Sequence, residues 1–585
     1  MNVGIKKLNL IEILNSKSPQ LLQKVPKILR SLFIKFLSKF LVINQINNFL
    51  ENNYIKQGID FIESLFNELN VKFDVTQDDL NKIPSEGGVL IVSNHPLGGL
   101  DGLGLIKTVY SVRRDVKIVA NDILMEIPNL REFFLPVDLY SANKSRQQLK
   151  AIEDAIISEQ AVIFFPAGVV SRLSIKGIKD RKWSAGVIKF SAKHNIPILP
   201  IFIKARNSIL FYLLSLIYDK IGTFMLPQEL FRAKNSNFKI IVGDLLNSSN
   251  FQNSKLKPNL QAKLLRKHTY MIGKHKAGIF KSEKTISHPI DAKLLKNEFK
   301  DNILLGKTTD NKHIYLVDYQ HGPNIIKEIA RLREITFRKV GEGTGKNLDY
   351  DTFDLYYKHI VLWNPEELDI IGAYRLGECA EIVKVYGKRG LYNSQQFEIT
   401  ENFDTFLQES IEVGRSFIQP KYWKSNALDF IWQGIGAYLQ QNPQIRYLWG
   451  AVSISDNYSH LAKSLIVYYY SKWYNGPNDM FYANLPFNIP KSLQEDCERV
   501  LNSDNYKDDF KKLKEALKTL GYSVPILYRR YTEMTEYGGS RFLGFNIDEK
   551  FSNSIDGLIL VDLHLLRNEY RERYFTAKSF VKNNN

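Results

Sequence analysis

The sequence predicts an α/β protein of two domains, each built on its own sheet. Three observations lead there. Between residues 87 and 243 short apolar runs alternate with helical patterns, the signature of a largely parallel sheet with helices packed on it. A second set of apolar runs begins after residue 306 and shares class but no repeat with the first. The chain has 585 residues, 44% hydrophobic and 24% charged, so it is globular and long enough to bury full cores without staples.

The elements follow in chain order. Residues 1–70 form a basic, amphipathic start. From Ile13 to Leu50 there is no acidic residue, while Lys17, Lys24, Lys27, Arg30, Lys35 and Lys39 are basic. Val25, Ile28, Leu29, Leu32, Phe33, Phe36, Leu37, Phe40 and Leu41 recur at helical spacing. Such a helix lies in a lipid headgroup plane, or packs on the core with its basic face solvated. Residues 71–245 form the first α/β domain. Its strands are expected at Gly87–Ser93, Val116–Ala120, Ala161–Phe165, Ile198–Ile203 and Phe238–Val242, with helices at Asp101–Arg113, Ser145–Ser158 and Ala185–His194. The apolar stretch Ser208–Leu226 is interrupted by Asp219 and Lys220, so it dips into lipid, lines an acyl channel or forms a buried helix. Residues 246–305 are lysine-rich and weakly patterned, a connector with some helix. Residues 306–585 form the second domain, with strands at His313–Asp318, Asp369–Leu376, Arg446–Ser453 and Leu558–Asp562, and helices at Asn324–Phe337 and Ser425–Gln441.

Composition bounds the function. Cys379 and Cys497 are the two cysteines, in no metal-like spacing, which fits a reducing compartment and leaves no metal assigned. Seventy-nine Lys+Arg against 62 Asp+Glu leave a net charge of +17, so an anionic partner is expected. No nucleic-acid-binding motif accompanies that charge, and nucleic acid is not the expected partner. No secretory signal is visible, and no run of 18 apolar residues suits a spanning helix.

Two constellations carry chemistry. The first strand runs into Asn94-His95-Pro96-Leu97-Gly98-Gly99-Leu100-Asp101, a polar pair at the carboxyl end of a buried strand, where open α/β sheets place their sites. A histidine there can accept the proton of an attacking hydroxyl, and a carboxylate can hold its tautomer. Asp101 could equally cap the following helix. In the second domain Glu412 and Arg415 stand three apart in EVGR. They could serve the amine and the carboxylate of an amino acid, or form a structural ion pair. Arg333, Arg375 and Arg415 are candidate carboxylate forks. Lys421, Lys424 and Ser425 flank a predicted helix start suited to a phosphate.

SNHPLGGLDG, FFPAGVVSR (Phe164–Arg172) and IPILPIFI (Ile196–Ile203) resemble the catalytic, third and fourth blocks of the glycerolipid acyltransferases. The resemblance implies His95 as general base and Asp101 as its partner. Asn94, Gly98, Gly99, Phe165, Pro166, Gly168, Ser171 and Arg172 would contact the acceptor. Five residues separate His95 and Asp101 where the family has four, an insertion that Gly98 and Gly99 can absorb as a bulge. Ala167 stands where the family carries a glutamate for a phosphate-bearing acceptor, which points to a different hydroxyl. This pattern, with Trp183 and Gly186 downstream, resembles the branch labelled hemolysin-like.

ARLREITFRKVGEGTG, FDLYYKHIVLW, IIGAYRLG, ESIEVGRSFIQPKYWKSNAL and YLWGAVSISDNY resemble the ornithine-lipid N-acyltransferases, relatives of the acyl-homoserine-lactone synthases in the acetyltransferase superfamily. By that resemblance Glu412 and Arg415 are catalytic, and Arg333, Asp354, Arg375, Ser416, Lys421, Lys424 and Ser425 contact substrate. Both halves together resemble fused aminolipid synthases. An amino acid, ornithine first and glycine second, would be N-acylated with a 3-hydroxyacyl group, and the 3-hydroxyl would then be O-acylated. The donor would be acyl carrier protein through its phosphopantetheine arm, with no cofactor besides. The expected location is peripheral, at the cytoplasmic face of the inner membrane. The rivals are a lysophospholipid acyltransferase with a non-catalytic, carrier-binding second domain, and a non-enzymatic lipid-binding protein.

Overall fold

A computed structural model describes residues 31, 34, 35, 38, 41–137, 146–175, 177–217, 219–252 and 254–575. The chain divides into two compact units, Met1–His288 and Pro289–Asn585.

The first unit carries a seven-stranded sheet in the order Lys72–Asp74, Asn237–Val242, Ile198–Lys204, Val89–Ser93, Ala161–Phe164, Val116–Asn121, Phe134–Val137. The last five run parallel to one another, and Asn237–Val242 turns antiparallel to Ile198–Lys204. Alternation along VLIV sends Val89 and Ile91 to one face and Leu90 and Val92 to the other, and both faces are covered. Helices Gly58–Leu69 and Gly99–Tyr110 cover the first through Phe61, Ile62, Leu105 and Ile106. Helices Arg146–Ile157, Gly186–His194 and Pro258–Ile272 cover the second through Ile152, Val187 and Leu265.

Two expectations change here. Residues 246–305 do more than connect: helix Pro258–Ile272 buries Ala262 and Leu265 in this core. Most of the basic N-terminal stretch lies outside the described residues. Its far end, helix Ile43–Asn52, sinks Phe49 and Leu50 into the core, with Phe49 edge-on against Phe61 at 5.1 Å. That end is a core helix because its apolar side meets helix Gly58–Leu69. Ser208–Leu226 forms helix Ile209–Ile217 and part of Asp219–Arg232. Phe211 and Tyr212 are buried, whereas Ile209, Leu210, Leu213 and Leu216 are exposed. Among the described residues no helix is long and apolar enough to cross a membrane.

The second unit carries an eight-stranded sheet in the order Ile303–Lys307, His313–Val317, Lys358–Asn364, Asp369–Glu378, Ser410–Ile418, Tyr447–Ile454, Ser554–Asp562, Ser540–Asp548. All neighbours are antiparallel except Ser410–Ile418 and Tyr447–Ile454. That parallel pair holds register for three residues, ending at Glu412 opposite Trp449, and then splays. Close approach at the fork requires Gly450, since a Cβ there would lie 2.0 Å from the Val413 carbonyl oxygen. Helix Pro323–Val340 packs on one face through Ile325, Ile326 and Ile329. Helices Ala427–Gln441 and His460–Trp473 pack on the other.

Candidate active sites

The first site grows from the end of strand Val89–Ser93. Gly98 adopts φ +91°, a left-handed conformation that turns the chain into helix Gly99–Tyr110. Asp101 therefore sits in the first turn, fully buried, and its Oδ2 accepts three hydrogen bonds. Leu97 N donates at 2.7 Å and Gly98 N at 3.0 Å, and His95 Nδ1 lies at 3.0 Å. One oxygen thus fixes both the turn and the imidazole, and the extra residue between His95 and Asp101 is taken up by the glycine turn. Burial raises the Asp101 pKa, while His95 and the two backbone amides pull it down. The His95 ring stacks on Phe165 at 4.1 Å, and its Nδ1 is the nitrogen that meets Asp101.

The FPAG loop holds the histidine from behind. Ser171 N donates to the His95 carbonyl at 2.7 Å, and His95 N donates to Asp180 Oδ1. Asp180 also takes bonds from Ser171 Oγ and from Trp183 Nε1 at 2.8 Å. Asp180 was not singled out in the sequence, although Trp183, three residues on, marks its place. Gly168, with φ +66°, turns the loop, and the Pro166 carbonyl accepts from Ser184 N. Asn94 is not a substrate contact: its amide is committed to both backbone groups of Ile203, at 2.9 and 2.7 Å. Gly99 opens the helix. Arg172 lies 4.9 Å above the Phe211 ring and, with Arg181, Tyr212 and Ser215, lines a cavity of about 120 Å³.

The second site is a cavity of about 710 Å³ between the splayed strands. Val413–Ile418 line one side and Ala451–Ser453 the other, with Glu342, Tyr392, Asp548 and Asp556 between. Arg415 enters it from a backbone with φ +51°. Its guanidinium donates to Tyr392 Oη at 2.8 Å and lies 3.4 Å from Asp349. Ser416 and Ser425 line the same space.

Glu412, expected to be catalytic, and several expected substrate contacts are instead engaged within the protein. Glu412 is 2% exposed and does not line the cavity. Its oxygens accept from Tyr357 Oη, Tyr392 N, Asn393 N and Asn393 Nδ2, so its carboxylate is saturated. Arg333 and Asp354 are fully buried and joined bidentately at 3.0 and 2.7 Å. Arg375, 1% exposed, donates to Asp351 and Asp354 at 2.8 and 3.1 Å. These two arginines hold the Asp354 carboxyl well below the usual carboxylate range. They tie the helix Pro323–Val340 to the sheet rather than facing a substrate. Lys421 pairs with Asp369 at 2.7 Å. Lys424 is exposed, and Ser425 Oγ accepts from Ala427 N at the start of helix Ala427–Gln441.

Residues missed in the sequence are Glu342, Asp556 and Tyr392. The Tyr392 ring lies 4.8 Å from the Arg375 guanidinium and 5.0 Å from that of Arg415. Its neighbour Asn393 binds Glu412, so Glu412 positions Arg415 through this loop. Among the described residues no cluster could hold a metal ion.

Comparison with known proteins separates the two halves. A family model described as "Acyltransferase" matches residues 12–278, and one described as "Acetyltransferase (GNAT) domain" matches residues 332–433. The glycine N(alpha)-acyltransferase of Phocaeicola vulgatus is 32% identical over 308 residues, covering 50% of this chain and 93% of that protein. The lyso-glycine lipid O-acyltransferase of Bacteroides thetaiotaomicron is 30% identical over 254 residues, covering 42% of this chain and 90% of that protein. The chain belongs, half by half, to these two acyltransferase families. It is therefore an acyltransferase with two transfer domains. The L-ornithine N(alpha)-acyltransferase of Brucella abortus is 26% identical, over 21% of this chain and 48% of its own length. The solved AHL synthase LasI overlaps 47% of this acyltransferase and 99% of its own chain, at TM-score 0.25 and 8% identity.

Proposed function

We propose that this acyltransferase makes a diacylated amino-acid lipid, with glycine as the amino acid. The second unit transfers a 3-hydroxyacyl group from acyl carrier protein to the α-amine of glycine. The first unit then acylates the 3-hydroxyl of that product at His95. The observation that carries this reading is that the halves match an N-acylating and an O-acylating protein of one lipid, each over about nine-tenths of its length. Glycine stands ahead of ornithine because the ornithine enzyme matches over only 48% of its length.

The chemistry of each site supports its step. An alcohol needs its proton removed as it attacks, and the His95–Asp101 pair at 3.0 Å suits that task. An acylated glycine carries a carboxylate, and Arg172 and Arg181 line the small cavity beside the FPAG loop. The intermediate and the product are amphiphiles, and the exposed Ile209, Leu210, Leu213 and Leu216 of helix Ile209–Ile217 suit a bilayer surface at the cytoplasmic face.

Expression in a bacterium that makes no amino-acid lipids, followed by mass spectrometry of its lipids, tests the reading. N-(3-acyloxyacyl)glycine is expected. Altered phospholipid acylation without any acylated amino acid would overturn it.

A further inference from the structure

We propose that Glu342 is the base that takes the proton from the attacking amine, with Arg415 across the cavity holding the acceptor's carboxylate. The proposal rests on the N-acylation reading above and names the residue that performs its proton transfer.

Glu412, which the sequence favours, has no free oxygen and lies outside the cavity lining. The carboxylates that do line the cavity are Glu342, Asp548 and Asp556. Asp548 is engaged, accepting from Lys550 N, Phe551 N and Gln396 Nε2. Burial and the neighbouring Asp548 and Glu342 push Asp556 up to about 8, so it keeps its proton near neutrality. Glu342 remains. Ser453 Oγ donates to its Oε2 at 2.9 Å, and among the described residues no group hydrogen-bonds its Oε1. Burial raises it to about 7, where a carboxylate is basic enough to deprotonate and still ionised in good part.

Its placement is rigid. Glu342 N donates to the Phe337 carbonyl at 2.8 Å, closing the end of helix Pro323–Val340. Ser455 Oγ pins the Val340 carbonyl at 2.8 Å, and Gly341 turns the chain with φ +81°. The loop residue and the splayed strands thus present one carboxylate and one guanidinium to a single space, the complement of a zwitterion.

Glu342 takes one proton from the ammonium and passes it to solvent. The freed amine nitrogen forms a bond to the thioester carbonyl carbon and gives up a second proton. The C–S bond breaks, and that second proton goes to the departing thiolate. The products are an amide and a thiol.

The experiment measures N-acylation by the full chain with glycine and 3-hydroxyacyl carrier protein, across pH, for wild type, Glu342→Gln and Glu342→Asp. The ionisable groups facing Glu342 are Arg415, Asp556, Tyr458 and Tyr528, with Asp548 beyond Asp556. Glu342→Gln should lower kcat by about 10²–10⁴-fold with both KM values within about threefold. It should also erase a rising limb of activity near pH 7, and Glu342→Asp should restore part of both. Wild-type kcat in Glu342→Gln would overturn the proposal, as would equal losses in both variants with raised KM. A wild type that N-acylates no amino acid would instead overturn the functional reading, and this proposal with it.

Discussion

The O-acylating and N-acylating sites solve related problems with different parts. In the first unit the proposed reactive groups are His95 and Asp101, on one turn between a strand and its following helix. In the second the proposed groups converge from distant segments: Glu342 beyond helix Pro323–Val340 and Arg415 on the splayed strand Ser410–Ile418. The difference follows from the nucleophile. A hydroxyl stays protonated at neutral pH, so a base must act during attack and must be oriented to within a hydrogen bond. An amine is a good nucleophile once deprotonated, so its site must hold a zwitterion and remove protons. The first demand is met by local geometry, the second by a charged cavity.

The comparison breaks most sharply at His95. His95→Ala should lower O-acylation about 10²–10⁴-fold and leave N-acylation unchanged, so that monoacylated amino acid accumulates. Unaltered diacyl product from this variant would remove the distinction between the sites. Arg415→Lys tests the other side. Loss of the guanidinium fork should reduce kcat/KM for the amino acid about 10- to 100-fold, mostly through KM, with O-acylation untouched. A change confined to kcat would show that Arg415 does not anchor the carboxylate.

Glu412→Gln sharpens the contrast between positioning and chemistry. The amide NH₂ would face groups that now donate to a carboxylate, costing about 1–3 kcal/mol of stability. Urea unfolding should report that loss, and N-acylation should fall only as far as the Tyr392 loop loosens. Full stability with abolished N-acylation would mean that Glu412 acts on substrate.

The smallest effect concerns pH. Glu342 and Asp556 titrate at about 7 and about 8 in the folded unit, above their values in an unfolded chain. Between about pH 4 and pH 8 the folded state binds more protons, so these groups make stability fall as pH rises through that window. Asp556→Asn should flatten this decline in denaturant midpoints measured against pH. An unchanged slope would mean that Asp556 is already ionised.

The sequence revealed local features and obscured distant ones. Strands such as Val89–Ser93 were legible because a parallel strand covered on both faces is a continuous apolar run. His95 and Asp101 were legible because one short motif contains both. Glu412 was misjudged for a physical reason. Its carboxylate is taken up by Tyr357, Tyr392 and Asn393, which other segments bring to it, and Arg415 leaves the regular strand at φ +51°, so the spacing in EVGR shows neither. Glu342 and Asp556 share a cavity only because strand Ser554–Asp562 pairs with Tyr447–Ile454, which no spacing encodes. The fate of Arg333 and Arg375 depended likewise on the burial of Asp354, a tertiary fact.

In the proposed reaction one chain houses two independent transfer sites acting in sequence. Their independence is measured by supplying synthetic N-(3-hydroxyacyl)glycine and acyl carrier protein loaded with a fatty acyl group to purified His95→Ala and Arg415→Ala proteins. Arg415→Ala should form diacyl product at the wild-type rate while His95→Ala forms almost none. Wild-type turnover by His95→Ala, or its loss in Arg415→Ala, would contradict it.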